Sequence, residues 1–174
     1  VAQPPVAATS LATVQATANS NSVYVGTKFR NLAINGNLDF WQRVEPNTTT
    51  VNTATTTSGY TADMVSYASG GSTVKNYSIV QSSSVPTLAQ SGFNSNWSYL
   101  FTMVTGIASF AAGDFVLPWV YKMEGYDYER IHTKSVTFCF WVNASVTGTY
   151  TLALQNSAQN RSYVTTFSIP SANT

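Results

Sequence analysis

Two short stretches of this chain combine aromatic rings with amide and carboxylate side chains. They are residues 94–99, reading N-S-N-W-S-Y, and the triplet Tyr126-Asp127-Tyr128. A sugar ring has an apolar face that stacks on Trp or Tyr, while Asn, Gln and Asp bond its equatorial hydroxyls. Asn96, Trp97, Tyr126, Asp127 and Tyr128 are therefore the candidate ligand-binding residues, and carbohydrate is the ligand class. A structural reading competes at each position. Trp97 and Tyr99 share a strand parity, which suits a core face equally well. Tyr126 and Tyr128 lie in a block that can pack against a sheet or face solvent.

Catalytic chemistry finds less support. Glycoside hydrolysis needs two opposed carboxyl groups, one acting as acid and the other as base or nucleophile. Asp39, Glu45, Asp63, Asp114, Glu124, Asp127 and Glu129 contain no pair that spacing singles out. Asp39 and Asp63 are the best placed, and the simpler role for both is to tie loops to strands by accepting charge-assisted hydrogen bonds from backbone amides. The chain has no G-x-S-x-G elbow, phosphate-binding loop or dinucleotide fingerprint. His132 has no Cys or second His with which to share a metal, and the acids before it suit the N-terminal end of a short helix. The run 125–129 offers too few oxygen ligands for calcium. A single Cys139 excludes an internal disulfide and reads as a buried structural thiol. The expectation is a protein that is not an enzyme and holds no cofactor or metal.

Composition narrows the class. Only 9% of the 174 residues are charged, against about 25% in an average globular domain. Aromatics reach 13%, with 10 Tyr, and Ser and Thr are abundant. Thr, Tyr, Phe, Trp and Val fit a pleated, half-buried surface, and the helix formers Glu and Lys are scarce. An all-β fold follows. The formal net charge of +1 comes from scattered residues, without the clustered Lys and Arg that neutralise a phosphate backbone, so nucleic acid is not an expected partner. No apolar run approaches the roughly 20 residues that span a bilayer, so membrane insertion is not expected. The opening V-A-Q-P-P has no basic region ahead of an apolar stretch, and no secretory signal is expected there.

An extended N-terminal arm or linker, residues 1–28, precedes one β domain, residues 29–174. The first 22 residues carry no charge and contain Pro4-Pro5, so they bury too little apolar surface to order themselves alone. Strands are expected near 23–28, 32–42, 62–66, 73–81, 97–105, 114–121, 135–143, 149–155 and 163–169, with a helical turn at 123–132. Residues 47–58 read as a polar loop or weak edge strand. Pro118 places its strand at an edge or a bulge. The segment 144–149 is short enough for a hairpin turned by Gly148. By parity, Leu32, Ile34, Leu38, Phe40, Val136, Phe138, Phe140, Val142, Leu152 and Leu154 should face inward. Gly36 shares the parity of that first group, where a bulge or close backbone approach is expected.

The run 31–43, N-L-A-I-N-G-N-L-D-F-W-Q-R, resembles the N-L-L-I-N-G-x-F-x-x-W-Q-R opening of a jelly-roll domain of tailed-bacteriophage fibre and appendage proteins. Three further blocks fit in order: Gly59-Tyr60-Thr61-Ala62-Asp63, Met123-Glu124-Gly125-Tyr126-Asp127, and the run 136–173. The resemblance spans roughly four-fifths of the chain. The Arg-Trp that usually follows the second block is replaced by Met64-Val65, so no role resting on that pair carries over. The family pattern continues beyond Ala-Asn-Thr, which implies that this chain stops inside its domain.

The resemblance implies a two-sheet antiparallel jelly-roll sandwich in a virion structural protein, located in a tail fibre or related appendage. It implies a homotrimer that attaches to other phage tail or head proteins through its arm and displays a carbohydrate- or receptor-binding surface to the host cell. The competing reading is a carbohydrate-binding module of a secreted polysaccharide-degrading enzyme. The uncharged residues 1–22 of the arm favour the first.

Overall fold

The computed structural model describes residues 31–43 and 47–172. The arm at 1–28, with the strand expected at 23–28, lies outside the described residues. The chain forms two compact units, Val1–Lys134 and Ser135–Thr174. Among the described residues, eight strands pair antiparallel throughout. The protein is all-β.

In the first unit, Thr48–Thr53 (β1), Lys75–Ser82 (β4) and Ser98–Thr105 (β5) form one sheet in the order β1-β4-β5. Thr57–Tyr60 (β2), Val65–Gly70 (β3) and Phe115–Tyr121 (β6) form a second in the order β2-β3-β6. The run 47–58 thus supplies an edge strand to each sheet. Pro118 lies on β6, at an edge, where the pairing with β3 slips between Ser66 and Ala68. Both positions left open to Pro118 are occupied at once, since a ring without an N–H disrupts a ladder least at a bulged edge.

Alternation along β4 builds the core. Lys75, Tyr77 and Ile79 are buried on one face, and Val51 on β1 stands opposite Tyr77. Tyr67 and Val116 from the second sheet pack on this cluster beside Phe101 and Met103 from the first. The Tyr77 ring meets Tyr67 edge-on, with centroids 6.3 Å apart, and its hydroxyl donates to Ser69 Oγ at 3.0 Å. Contacts from both sheets therefore satisfy one buried tyrosine. Two short helices, Leu88–Ser91 (α1) and Gly125–Ile131 (α2), lie outside the sheets. Thr87 and Gln90 close a capping box on α1.

Residues 32–42 do not form the expected strand. Asn35 and Leu38 adopt positive φ angles of 55° and 59°, and backbone bonds from Gly36 N to Ala33 O and from Leu38 N to Asn35 O close successive turns. The Asn35 side chain replaces the missing ladder. Its Nδ2 donates to Phe40 O and Asp63 O, each at 2.9 Å, and its Oδ1 accepts from Phe40 N. An amide that bonds its own backbone competes with sheet pairing, and Asn tolerates the left-handed region. The inward set changes accordingly. Trp41, from the opposite parity, is buried with Ala62 and Val65, while Ile34 and Phe40 are exposed. Leu38 packs on that cluster and Leu32 is half-buried. The close backbone approach expected at Gly36 occurs within the turn, against Ala33.

The second unit also departs from expectation. Gly148–Gln155 (β7) pairs with Ser162–Ile169 (β8) from end to end, and residues 135–143 join no ladder. The hairpin therefore closes at 156–161 instead of 144–149. Asn156 Oδ1 accepts from the backbone amides of Asn160 and Arg161, and Gln159 takes φ 56°. Phe138 and Phe140 do share a face, their rings 5.5 Å apart, and Phe140 meets Phe167 at 5.3 Å. Sharing a face does not bury them. Val136, Phe138, Phe140, Val142 and Leu154 are exposed, Leu152 is half-buried, and Cys139 is exposed rather than a buried thiol. A two-stranded ribbon offers one small surface to pack on, too little to cover a further extended segment.

Candidate functional site

The turns of the opening block hold the segment that leads into β5. Asn37 Nδ2 donates to Asp39 Oδ2 at 2.9 Å and to the Asn94 carbonyl at 3.2 Å. Ser95 Oγ donates to Asn37 Oδ1 at 2.9 Å, and Asn96 Nδ2 reaches Asp39 Oδ1 at 3.3 Å. The result is a surface cluster of two amides, a carboxylate and a hydroxyl, drawn from segments almost sixty residues apart. Trp97 follows directly, before the first residue of β5, and is 39% exposed.

Tyr99, two residues on, lies on the strand and points inward. Its ring stands 5.9 Å from Trp41, and its hydroxyl donates to the Pro118 carbonyl. Burial pushes its pKa well above the ordinary tyrosine range. The two aromatics of this stretch thus divide between core and surface.

Tyr126, Asp127 and Tyr128 open α2. Tyr126 is 83% exposed and Tyr128 59% exposed, with the Tyr128 ring 6.4 Å from His132. Asp127 faces Arg130 at 3.8 Å. Among the described residues, no hydrogen bond, ion pair or ring contact joins this triplet to Asn96 or Trp97. The five candidates therefore occupy two separate places. Asn37, Asp39 and Ser95 belong with the first place; of these the sequence singles out only Asp39, and as a carboxylate that ties a loop.

Asp39 and Asp63 differ in role. Asp63 accepts from the backbone amide of Gln42 at 2.8 Å and pairs with Arg43 at 3.4 Å, so it ties a loop as expected. Asp39 instead accepts from side-chain amides.

A second feature had no sequence signal. Arg43, Tyr60, Met64, Ser66, Lys122 and Glu124 line a shallow depression of about 190 Å³ at one end of the second sheet. The Arg43 guanidinium lies 4.6 Å from the centre of the Tyr60 ring. Three chain segments meet here, and only folding brings the two cations together.

Among the described residues, no group of three or more His, Cys, Asp and Glu side chains could hold a metal ion, and no helix is long and apolar enough to cross a membrane. No family model, curated protein or solved structure matches the chain.

Proposed function

We propose that this chain is a non-catalytic virion protein of a tailed bacteriophage, part of a tail fibre or related appendage, whose β domain is a jelly roll that presents a carbohydrate-binding surface to the host. The observation that carries the reading is the cluster of Asn37, Asp39, Ser95 and Asn96 beside the exposed Trp97. Recognition of a sugar needs polar groups held in place next to a flat apolar ring. Here the polar groups orient one another before any ligand arrives, which lowers the ordering cost of binding.

Further support comes from the way two blocks of the phage-like pattern meet. Asp63 N donates to Phe40 O at 2.9 Å, and Asn35 bridges Phe40 and Asp63. Residues from two of the four blocks that carry the resemblance therefore meet at one junction. The arm attaches the domain to other virion proteins, and the assembly is a homotrimer. A carbohydrate-binding module of a secreted polysaccharide-degrading enzyme would use the same surface. The location of the chain in a particle separates the two.

The binding part is tested on a glycan array with the purified chain. Selective binding should weaken by about tenfold in Trp97→Ala, the scale of one lost stacking contact of roughly 1.4 kcal/mol. Array binding that is identical in Trp97→Ala and Asn96→Ala would refute it. Release of reducing ends from host polysaccharide, abolished by Asp39→Asn or Asp63→Asn, would refute the non-catalytic part.

A further inference from the structure

The depression between Arg43 and Lys122 is built differently from the amide cluster. Asp63 engages the Nε of Arg43, and the Tyr60 ring supports the guanidinium plane from 4.6 Å. With Nε held and one face covered, the two terminal nitrogens form an oriented fork, which suits a carboxylate better than a freely rotating cation would. Lys122 has no ion pair or hydrogen bond among the described residues and lines the same depression. Arg43 and Lys122 share the depression with Glu124, and Asp63 already pairs with Arg43, so Lys122 is the cation left without an ion pair among the described residues. Ser66 donates its proton to the Val120 carbonyl at 3.3 Å, leaving its oxygen to accept. Met64 lines the depression from the turn between β2 and β3, where its φ of 67° is part of the turn closed by Val65 N donating to Ala62 O.

We infer that this depression binds the carboxylate of an acidic sugar, a uronate-type residue of a host surface polysaccharide, an assignment that rests on the glycan-binding reading above. The carboxylate bridges the Arg43 fork and the Lys122 ammonium. Ring hydroxyls donate to Ser66 and Glu124, and Met64 offers apolar surface to the sugar's C–H groups. Glu124 should disfavour a phosphate dianion more than a carboxylate, because like charges repel.

Affinity electrophoresis through gels containing polygalacturonate tests the assignment, with dextran gels as the neutral counterpart. The expected result is retardation by polygalacturonate alone, weakened about tenfold in Arg43→Gln and in Lys122→Gln. Free glucuronate should relieve it, whereas glucose and inorganic phosphate at the same concentration should not. Lys122→Gln breaks no hydrogen bond or ion pair among the described residues, and a circular dichroism melt confirms that its effect is read on folded protein. Lys134→Gln, which removes a cation that does not line the depression, should leave this retardation intact. Equal retardation in dextran, unchanged retardation in both charge variants, or displacement by phosphate as readily as by glucuronate would overturn the inference. Retardation lost in Trp97→Ala but kept in Lys122→Gln would overturn it too, by moving the site to the amide cluster. Finding the chain in a particle is a separate readout, so the phage reading and this one can fail independently.

Discussion

Lys75 Nζ lies 2.7 Å from Asp114 Oδ1, and both side chains are fully withdrawn from solvent. Asp114 also accepts from Thr73 N at 3.2 Å, from the Thr73 hydroxyl and from Ala111 N at 2.7 Å. One carboxylate therefore joins the crossover from β3 to β4 with the loop from β5 to β6. Gly71, at φ 109°, completes the junction, because a Cβ there would overlap the carboxylate.

The ammonium of Lys75, and after it the Thr73 hydroxyl, hold the Asp114 carboxyl well below the usual carboxylate range. A carboxyl whose pKa is lower in the folded state adds stability above its unfolded value of about 3.9, and that stability fades as pH falls toward the folded value. Stability should therefore drop in acid, from about pH 5 downward. Asp114→Asn leaves Lys75 without a counter-charge, so the variant should be less stable at neutral pH, and the deficit should narrow in acid. Urea midpoints across this range check the prediction. A constant deficit at every pH would contradict it.

The core should respond on a different scale. Ile79→Ala removes a fully buried side chain between the sheets and should cost about 2–5 kcal/mol in chemical denaturation. Tyr77→Phe keeps the ring contacts and loses only the bond to Ser69, for about 0.5–1.5 kcal/mol. Equal losses for the two would mean that this cluster is not the core.

Asn35 offers a test of the opening turns. Asn35→Ala removes three hydrogen bonds and places a Cβ-bearing residue without a bonding side chain at φ 55°. Asn35→Gly removes the same bonds but tolerates the angle. Alanine should be the more damaging by about 1 kcal/mol in urea unfolding. The reverse order would contradict a left-handed Asn35.

These residues also show what could be read in the chain before its structure. Strands β4, β5, β6, β7 and β8 and helix α2 fell within a few residues of expectation because their alternation, or its absence, is local. The opening block failed for a physical reason. Leu32, Ile34, Leu38 and Phe40 alternate as a strand would, but period two says nothing about the Asn35 side chain capturing the backbone groups a ladder needs. Residues 135–143 failed differently, since Phe138 and Phe140 share a face but burial requires a second layer. Asn96 and Asp39 were each singled out in the sequence, but their hydrogen bond, and the part of Asn37 in the same cluster, could be seen only once the turns had placed them. The pairing of Arg43 with Lys122 had no local signature at all.

Assembly gives the next prediction. Residues 1–22 of the arm carry no charge and contain Pro4-Pro5, and the described surface includes Leu117, Trp141 and Val164 among its exposed apolar residues. Both features suit burial between subunits. Sedimentation of the full chain should give a trimer, and removal of residues 1–22 should leave folded protein that no longer joins tail or fibre components. A full-length monomer at micromolar concentration that fails to join those components would contradict the prediction.

The proposal that this is a virion appendage protein is tested most directly by immunogold electron microscopy of intact phage particles, using antibody raised against the purified chain. The account predicts label at a tail fibre or related appendage, lost when the antibody is first absorbed with the chain. Particles without label, with the chain recovered instead from culture fluid joined to a polysaccharide-degrading enzyme, would contradict it.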